Sequence, residues 1–223
     1  VLLHNNKIGS YVLYKDISER KEAERELKKA LKAEKRYNKL KGKYTDSLIT
    51  VLTKILELHD KYTKGHSDSV ANLAVKMAKK LELNEKKINT AYWTALVHDI
   101  GKINIPSQVL NKISTLTVKE YNQVQNHPVL GYEILNETKE LKEVATNVLY
   151  HHEHWNGNGY PDGLKGKEIP LISRIINIAD AWVAMRSKRA YRNALSKKEA
   201  IKELKKNKGK QFDPNLVDIF MKI

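Results

Sequence analysis

Seven candidate metal ligands stand out along residues 66–180: His66, His98, Asp99, His127, His151, His152 and Asp180. The densest stretch is His151 to Pro161, HHEHWNGNGYP. Adjacent imidazoles repel if both are protonated, whereas both are accommodated when their lone pairs face a cation. The following Gly157 and Gly159 let the backbone turn back sharply toward such an ion or its ligand. Each position also has a structural reading on its own. His151 and His152 could end a helix, and Asp180, inside IINIADAWVAM, could be a buried carboxylate satisfied by a helix cap. Gathered in otherwise apolar segments, the set points to metal.

The chain has no cysteine, so disulfides and thiolate sites are excluded and any ion must be held by imidazole and carboxylate. That donor set suits iron, manganese, zinc or nickel. Seven donors are more than one ion needs, and they suffice for two divalent ions sharing a carboxylate. Two ions about 3.5–4 Å apart are the usual device for phosphoester hydrolysis, binding phosphate oxygens and lowering the pKa of a bridging water.

The elements that must position these groups are helical. The spacing predicts helices over 66–83 with Val70, Leu73, Ala74, Met77 and Leu81 on one stripe, over 88–103 ending near Gly101, over 144–152 and over 172–186. Thr117 with Glu120, and Ser196 with Glu199, form capping boxes; Pro128 is expected to break a helix and Pro214 to open a short final one. The fold class is all-α, a helical bundle with an N-terminal coiled-coil helix and one short strand. That strand is expected over 8–17, IGSYVLYKDI, and is followed by a charged helix. Within this helix Ala23, Leu27, Ala30, Glu34, Tyr37, Lys41, Tyr44, Leu48, Val51, Ile55 and Leu58 make a seam that only Glu34 and Lys41 interrupt, which predicts a parallel two-stranded coiled coil. The segments are thus 1–17, a helix over 18–47 and the main domain over 48–223.

The chain of 223 residues begins with Val, as a piece of a longer protein would. Its formal charge of +15 is mostly dispersed lysine, a solvated surface apart from the Arg186, Arg189, Arg192 cluster, and no groove-reading or aromatic motif indicates nucleic acid. No membrane span or signal peptide is evident, and a cytoplasmic protein is expected.

HD at 98–99, HHE at 151–153 and GYP at 159–161, with YTKGHS, HDIGKINIP, HP at 127–128 and RAYR at 189–192, resemble an HD-GYP domain from about residue 48 to the C-terminus. The resemblance implies a metal-dependent phosphodiesterase of the bacterial second messenger cyclic di-GMP, yielding pGpG or, further on, GMP. It implies two divalent metals, iron before manganese, held by His66, His98, Asp99, His127, His151, His152 and Asp180, with Asp99 bridging. Lys102 matches the lysine on the scissile phosphate, and Arg189 and Arg192 match the arginines that contact phosphate and guanine. Tyr160 and Pro161 are expected to shape the loop over the site. The strand and charged helix resemble the end of a PAS sensor domain with its signalling helix; a homodimer through the N-terminal helix is expected from the coiled-coil seam, and a diguanylate cyclase-domain partner is expected beside it.

Four positions depart from the family pattern. Tyr62 stands where some members have a third-metal Glu, which implies two metals and pGpG as product. Val183 replaces an acidic residue, Ala190 the proline of R-P-Y-R, and Arg186 a small polar residue. These leave room for a mixed cyclic GMP–AMP substrate. Rival readings are another HD-superfamily nucleotide phosphohydrolase and a non-catalytic receptor or docking module.

Overall fold

The computed structural model describes residues 2–60, 65–188 and 193–223, with the side chains of 2–16 and 46 left aside. Among the described residues there is no sheet, only two isolated bridges, Asn156 with Lys165 and Lys208 with Phe212. The strand expected over 8–17 is corrected: those residues belong to helix α1, Leu2–His59. The preference of β-branched and aromatic residues for strands depends on cross-strand neighbours, and no described residues offer a ladder here. A helix satisfies the backbone groups of the segment within itself.

The chain divides into two compact units, residues 1–49 and 50–223. The first is the leading part of α1, on which Leu27, Leu31, Tyr37, Leu40, Tyr44 and Leu48 are exposed.

The second unit begins with the last turns of α1. Helix α2 (His66–Lys80) packs on α3 (Glu85–Val97) and on α8 (Leu171–Arg186). Ala71, Ala74 and Ala78 of α2 and Ala91 and Ala95 of α3 are buried, small side chains that let two packed helices approach closely. Helix α6 (His127–Asn136) lies on α7 (Lys142–Leu149) and on a 3₁₀ turn, Ile100–Asn104. Helix α8 keeps five successive residues buried, Ile175, Ile176, Asn177, Ile178 and Ala179, which no single face could hold, so it runs through the centre. Burying each of these isoleucine side chains contributes about 1.5–3 kcal/mol. Short helices α4 (Ser107–Leu110), α5 (Val118–Gln125), α9 (Lys197–Lys206) and α10 (Pro214–Phe220) complete the unit.

Local chemistry sets several boundaries. Both capping boxes form, Thr117 with Glu120 and Ser196 with Glu199. Helix α2 stops three residues short of Leu83, where Glu82 takes a left-handed φ of 54°. The helix expected over 88–103 ends at Val97, and His98 and Asp99 occupy the joint before the 3₁₀ turn. The helix opened by Thr117 stops at Gln125, just ahead of Pro128, which sits in the first turn of α6, where its missing N–H has no intrahelical partner to lose. No described helix is long and apolar enough to cross a membrane.

Candidate metal centre

Three of the histidines are aimed by the same device. The Nδ1 of His98 lies 2.7 Å from the carbonyl of Ala95, that of His127 2.6 Å from Val124, and that of His151 is bonded to Val148. A carbonyl only accepts, so each Nδ1 carries the proton and each Nε2 presents a lone pair. Backbone carbonyls three residues earlier thus fix tautomer and ring direction, as they do for histidines that bind metals. The three rings are buried, and their Nε2 atoms converge.

The convergence is close. Nε2 of His127 lies 3.4 Å from Nε2 of His151. With both protons on Nδ1 this sets lone pair against lone pair, a contact that a cation relieves. The Nε2 of His98 is buried with no hydrogen-bond partner. Burial, the leading cause, depresses the basicity of His127 to about 3 and of His152 to about 4, and lowers His151 strongly, so these rings are neutral donors near pH 7. On these observations the residues fit a divalent ion.

The carboxylates complete the set. Asp99 places Oδ2 3.4 Å from His98 Nε2 and Oδ1 3.4 Å from His127 Nε2, and Asp180 Oδ1 lies 3.0 Å from His66 Nε2. Burial alone would raise both carboxyls. Positive charge around Asp99, that of Lys102 included, and His66 hydrogen-bonded to Asp180 hold them instead well below the usual range. Three groups have donor atoms within 4.8 Å of one another: His66, His98 and Asp180; His98, Asp99 and His151; and His127, His151 and His152. All seven candidate ligands are thereby brought into one patch. Lys102 Nζ lies 2.7 Å from Asp99 Oδ2. Burial would lower its pKa, but Asp99 first, then Asp60 and Asp180, raise it, so the ammonium stays charged. Side-chain exposures of 14% for Asp99 and 20% for Asp180 and Lys102, against 1% for His98 and His127, give the patch a closed histidine floor and an open carboxylate–lysine rim.

Residues 50–216 match the family model described as an HD domain. The chain belongs to the HD domain family. With its Gly159, Tyr160, Pro161 loop beside the histidines, it is of the HD-GYP type. The domain is 34% identical over 201 residues to a cyclic di-GMP phosphodiesterase of Thermotoga maritima, covering 88% of this chain and 55% of that protein. It is 36% identical over 173 residues to the cyclic di-GMP phosphodiesterase response regulator RpfG of Xanthomonas campestris, covering 77% and 46%. A solved cyclic GMP-AMP specific phosphodiesterase of V. cholerae shares the fold, with TM-score 0.61 and 23% identity over 78% of this chain and 47% of that one. The chain spans about half the length of the curated relatives it matches.

Arg189, Arg192 and Tyr62 lie outside the described residues. Tyr160 stacks on His152, with ring centroids 4.9 Å apart and planes at 29°. A Cβ on Gly159 would fall 2.2 Å from the nitrogen of His154, so only glycine lets the loop close over Glu153 and His154. Gly101 is needed for a similar reason: its Cβ would lie 2.0 Å from the carbonyl oxygen of His127, so the residue brings α6, and with it His127, against the His98–Asp99 joint.

Two supporting residues escape sequence reasoning. Buried Glu153 accepts hydrogen bonds from the N–H groups of Asp162 and Gly163 at 2.8 and 2.9 Å, folding the loop back on the histidine pair. Asn177 Nδ2 donates to the carbonyls of His151 and Glu153 at 2.8 and 3.2 Å and so anchors the HHE segment to α8. Asn177 and Asp180 lie three apart, a helical spacing that places both on one face. That spacing was the available signal.

Proposed function

We propose that this HD domain is a phosphodiesterase that hydrolyses cyclic di-GMP to linear pGpG with two divalent transition metals, iron before manganese, with nickel and zinc also compatible. The observation that carries the two-metal reading is the seat of Asp99, which turns one oxygen toward His98 and the other toward His127. Its carboxylate lies between the His66, His98, Asp180 group and the His127, His151, His152 group. A bound pair of ions supplies Lewis-acid charge and an activated water. The names of the relatives support the choice of a cyclic dinucleotide.

The chain's own residues do the rest. Lys102 reaches from the open rim and meets a non-bridging phosphate oxygen, where its fixed charge favours the phosphorane-like transition state. Arg189 and Arg192 hold the second phosphate and the guanine edge, a task suited to planar guanidinium. Tyr160 keeps the His152 ring from turning. Tyr62, in place of a further carboxylate, accords with two ions and with release of pGpG rather than GMP. The exposed apolar face of α1, with Leu27, Tyr37, Tyr44 and Leu48, supports a homodimer through that helix.

A substrate panel tests the reading. Cyclic di-GMP should be turned over with kcat/KM at least about tenfold above dNTPs and (p)ppGpp, a margin of about 1.4 kcal/mol in transition-state binding. Cyclic GMP–AMP is the second candidate, the substrate in the name of a V. cholerae relative 36% identical over 155 residues. Preference for a mononucleotide triphosphate would overturn the proposal. Binding of cyclic di-GMP without turnover by the metal-loaded protein would make the domain a receptor.

A further inference from the structure

We infer that Glu57, near the end of α1, is a positioning residue for His66, and that it ties this helix to the metal centre; the inference rests on reading His66 as a ligand. Helix α2 starts at His66 behind Gly65, which has a φ of 70° and no side-chain cap of its own. The missing acceptor comes from α1: Glu57 Oε2 accepts from the N–H of Gly65 at 2.9 Å, and Oε1 from the N–H of Ser67 at 3.4 Å. One carboxylate therefore grips the backbone on both sides of His66. The first N–H groups of a helix have no internal partner, and an anion is favoured there by the helix dipole.

His66 needs this grip more than the other histidines do. His98, His127 and His151 are each aimed by a carbonyl bound to Nδ1. The Nδ1 of His66 is buried with no hydrogen-bond partner, and only its Nε2 is engaged, 3.0 Å from Asp180. Without an anchor on the far side of the ring, its aim follows from where the backbone holds its Cα. The same last turn of α1 is pinned elsewhere: the carbonyl of His59 accepts from Asn111 Nδ2 at 3.2 Å and from Ser107 Oγ at 3.4 Å. A rotation or shift of these turns would move the Glu57 carboxylate and, through Gly65 and Ser67, the His66 ring.

The test measures Mn²⁺ binding by loss of the free-ion EPR signal, with circular dichroism and thermal melting to establish the fold. Glu57→Ala should weaken one class of Mn²⁺ site by about tenfold or more, the scale of an outer-shell partner. Glu57→Gln keeps one acceptor oxygen for the N–H of Gly65 but turns an NH2 toward the N–H of Ser67, so its loss should fall between those of wild type and Glu57→Ala. In a His66→Ala background Glu57→Ala should add less than about twofold, since the two act through one ligand. If Glu57→Ala fails to fold, Glu57→Asp, one methylene shorter, carries the same expectation. A folded Glu57 variant with wild-type Mn²⁺ affinity, or an undiminished effect without His66, overturns the inference. Absence of Mn²⁺ binding by the wild type would instead defeat the metal reading, and the Glu57 assignment with it.

Discussion

His127 and His151 meet through their Nε2 atoms at 3.4 Å while each gives its Nδ1 proton to a carbonyl three residues earlier. Neither nitrogen has a hydrogen to share, so the folded protein holds two lone pairs together for a cation to use. Divalent ion should therefore stabilise the fold. At about 100 times its dissociation constant, Mn²⁺ adds roughly 2.7 kcal/mol. For a chain of this size that raises Tm by about 5–10 °C. Thermal denaturation with Mn²⁺ and then with excess chelator measures the rise, and His151→Ala should remove most of it.

Lys102 is expected to act on the substrate rather than on the metals. Lys102→Ala should lower kcat by about 10²–10³, the usual loss for one preorganised charge at a transition state. Metal content should stay at the wild-type level, as read by elemental analysis of the purified variant. Loss of metal in parallel with activity would mean that the 2.7 Å contact with Asp99 is the whole of its role.

Gly159→Ala places a methyl group within 2.6 Å of three backbone atoms of Glu153 and His154. Backbone cannot yield as a side-chain tip can, so the variant should lose about 1–3 kcal/mol in urea denaturation. Turnover should fall as well, since the loop that moves carries Tyr160 off the His152 ring.

Asn177→Leu removes both bonds that hold the carbonyls of His151 and Glu153 to α8. Leaving buried carbonyls without partners costs about 1–3 kcal/mol in stability. The chemical shifts of the His151 and His152 rings in the metal-free protein should move more than those of His66. Equal shifts at all three rings would argue against a local anchor.

What could be read in the sequence was the inventory. The residue types of His66, His98, Asp99, His127, His151, His152 and Asp180, and the helices that carry them, follow from periodicity and from the absence of cysteine. What could not be read was the aim of each group. The bond from Nδ1 to a carbonyl three residues earlier depends on where a helix ends, and α3 ends at Val97 rather than near Gly101 because the backbone turns at His98 and Asp99. Glu57 and Gly65 meet because the chain turns back between the end of α1 and the start of α2, which periodicity does not encode. The segment 8–17 misleads for the opposite reason: its composition favours a strand, but strand preference is a property of neighbours, and the described residues supply none. Pro128 reads as a breaker or a starter according to its register, and only the position of His127 at the start of α6 decides.

The most direct measurement is anaerobic turnover of cyclic di-GMP by the iron- or manganese-loaded chain, with products separated by chromatography, beside Asp99→Ala treated identically. The account predicts accumulation of pGpG by the wild type and a loss on the order of 10³-fold or more in the variant, in which neither metal group keeps the shared carboxylate. Undiminished hydrolysis by Asp99→Ala, or no hydrolysis by the fully loaded wild type, would contradict it.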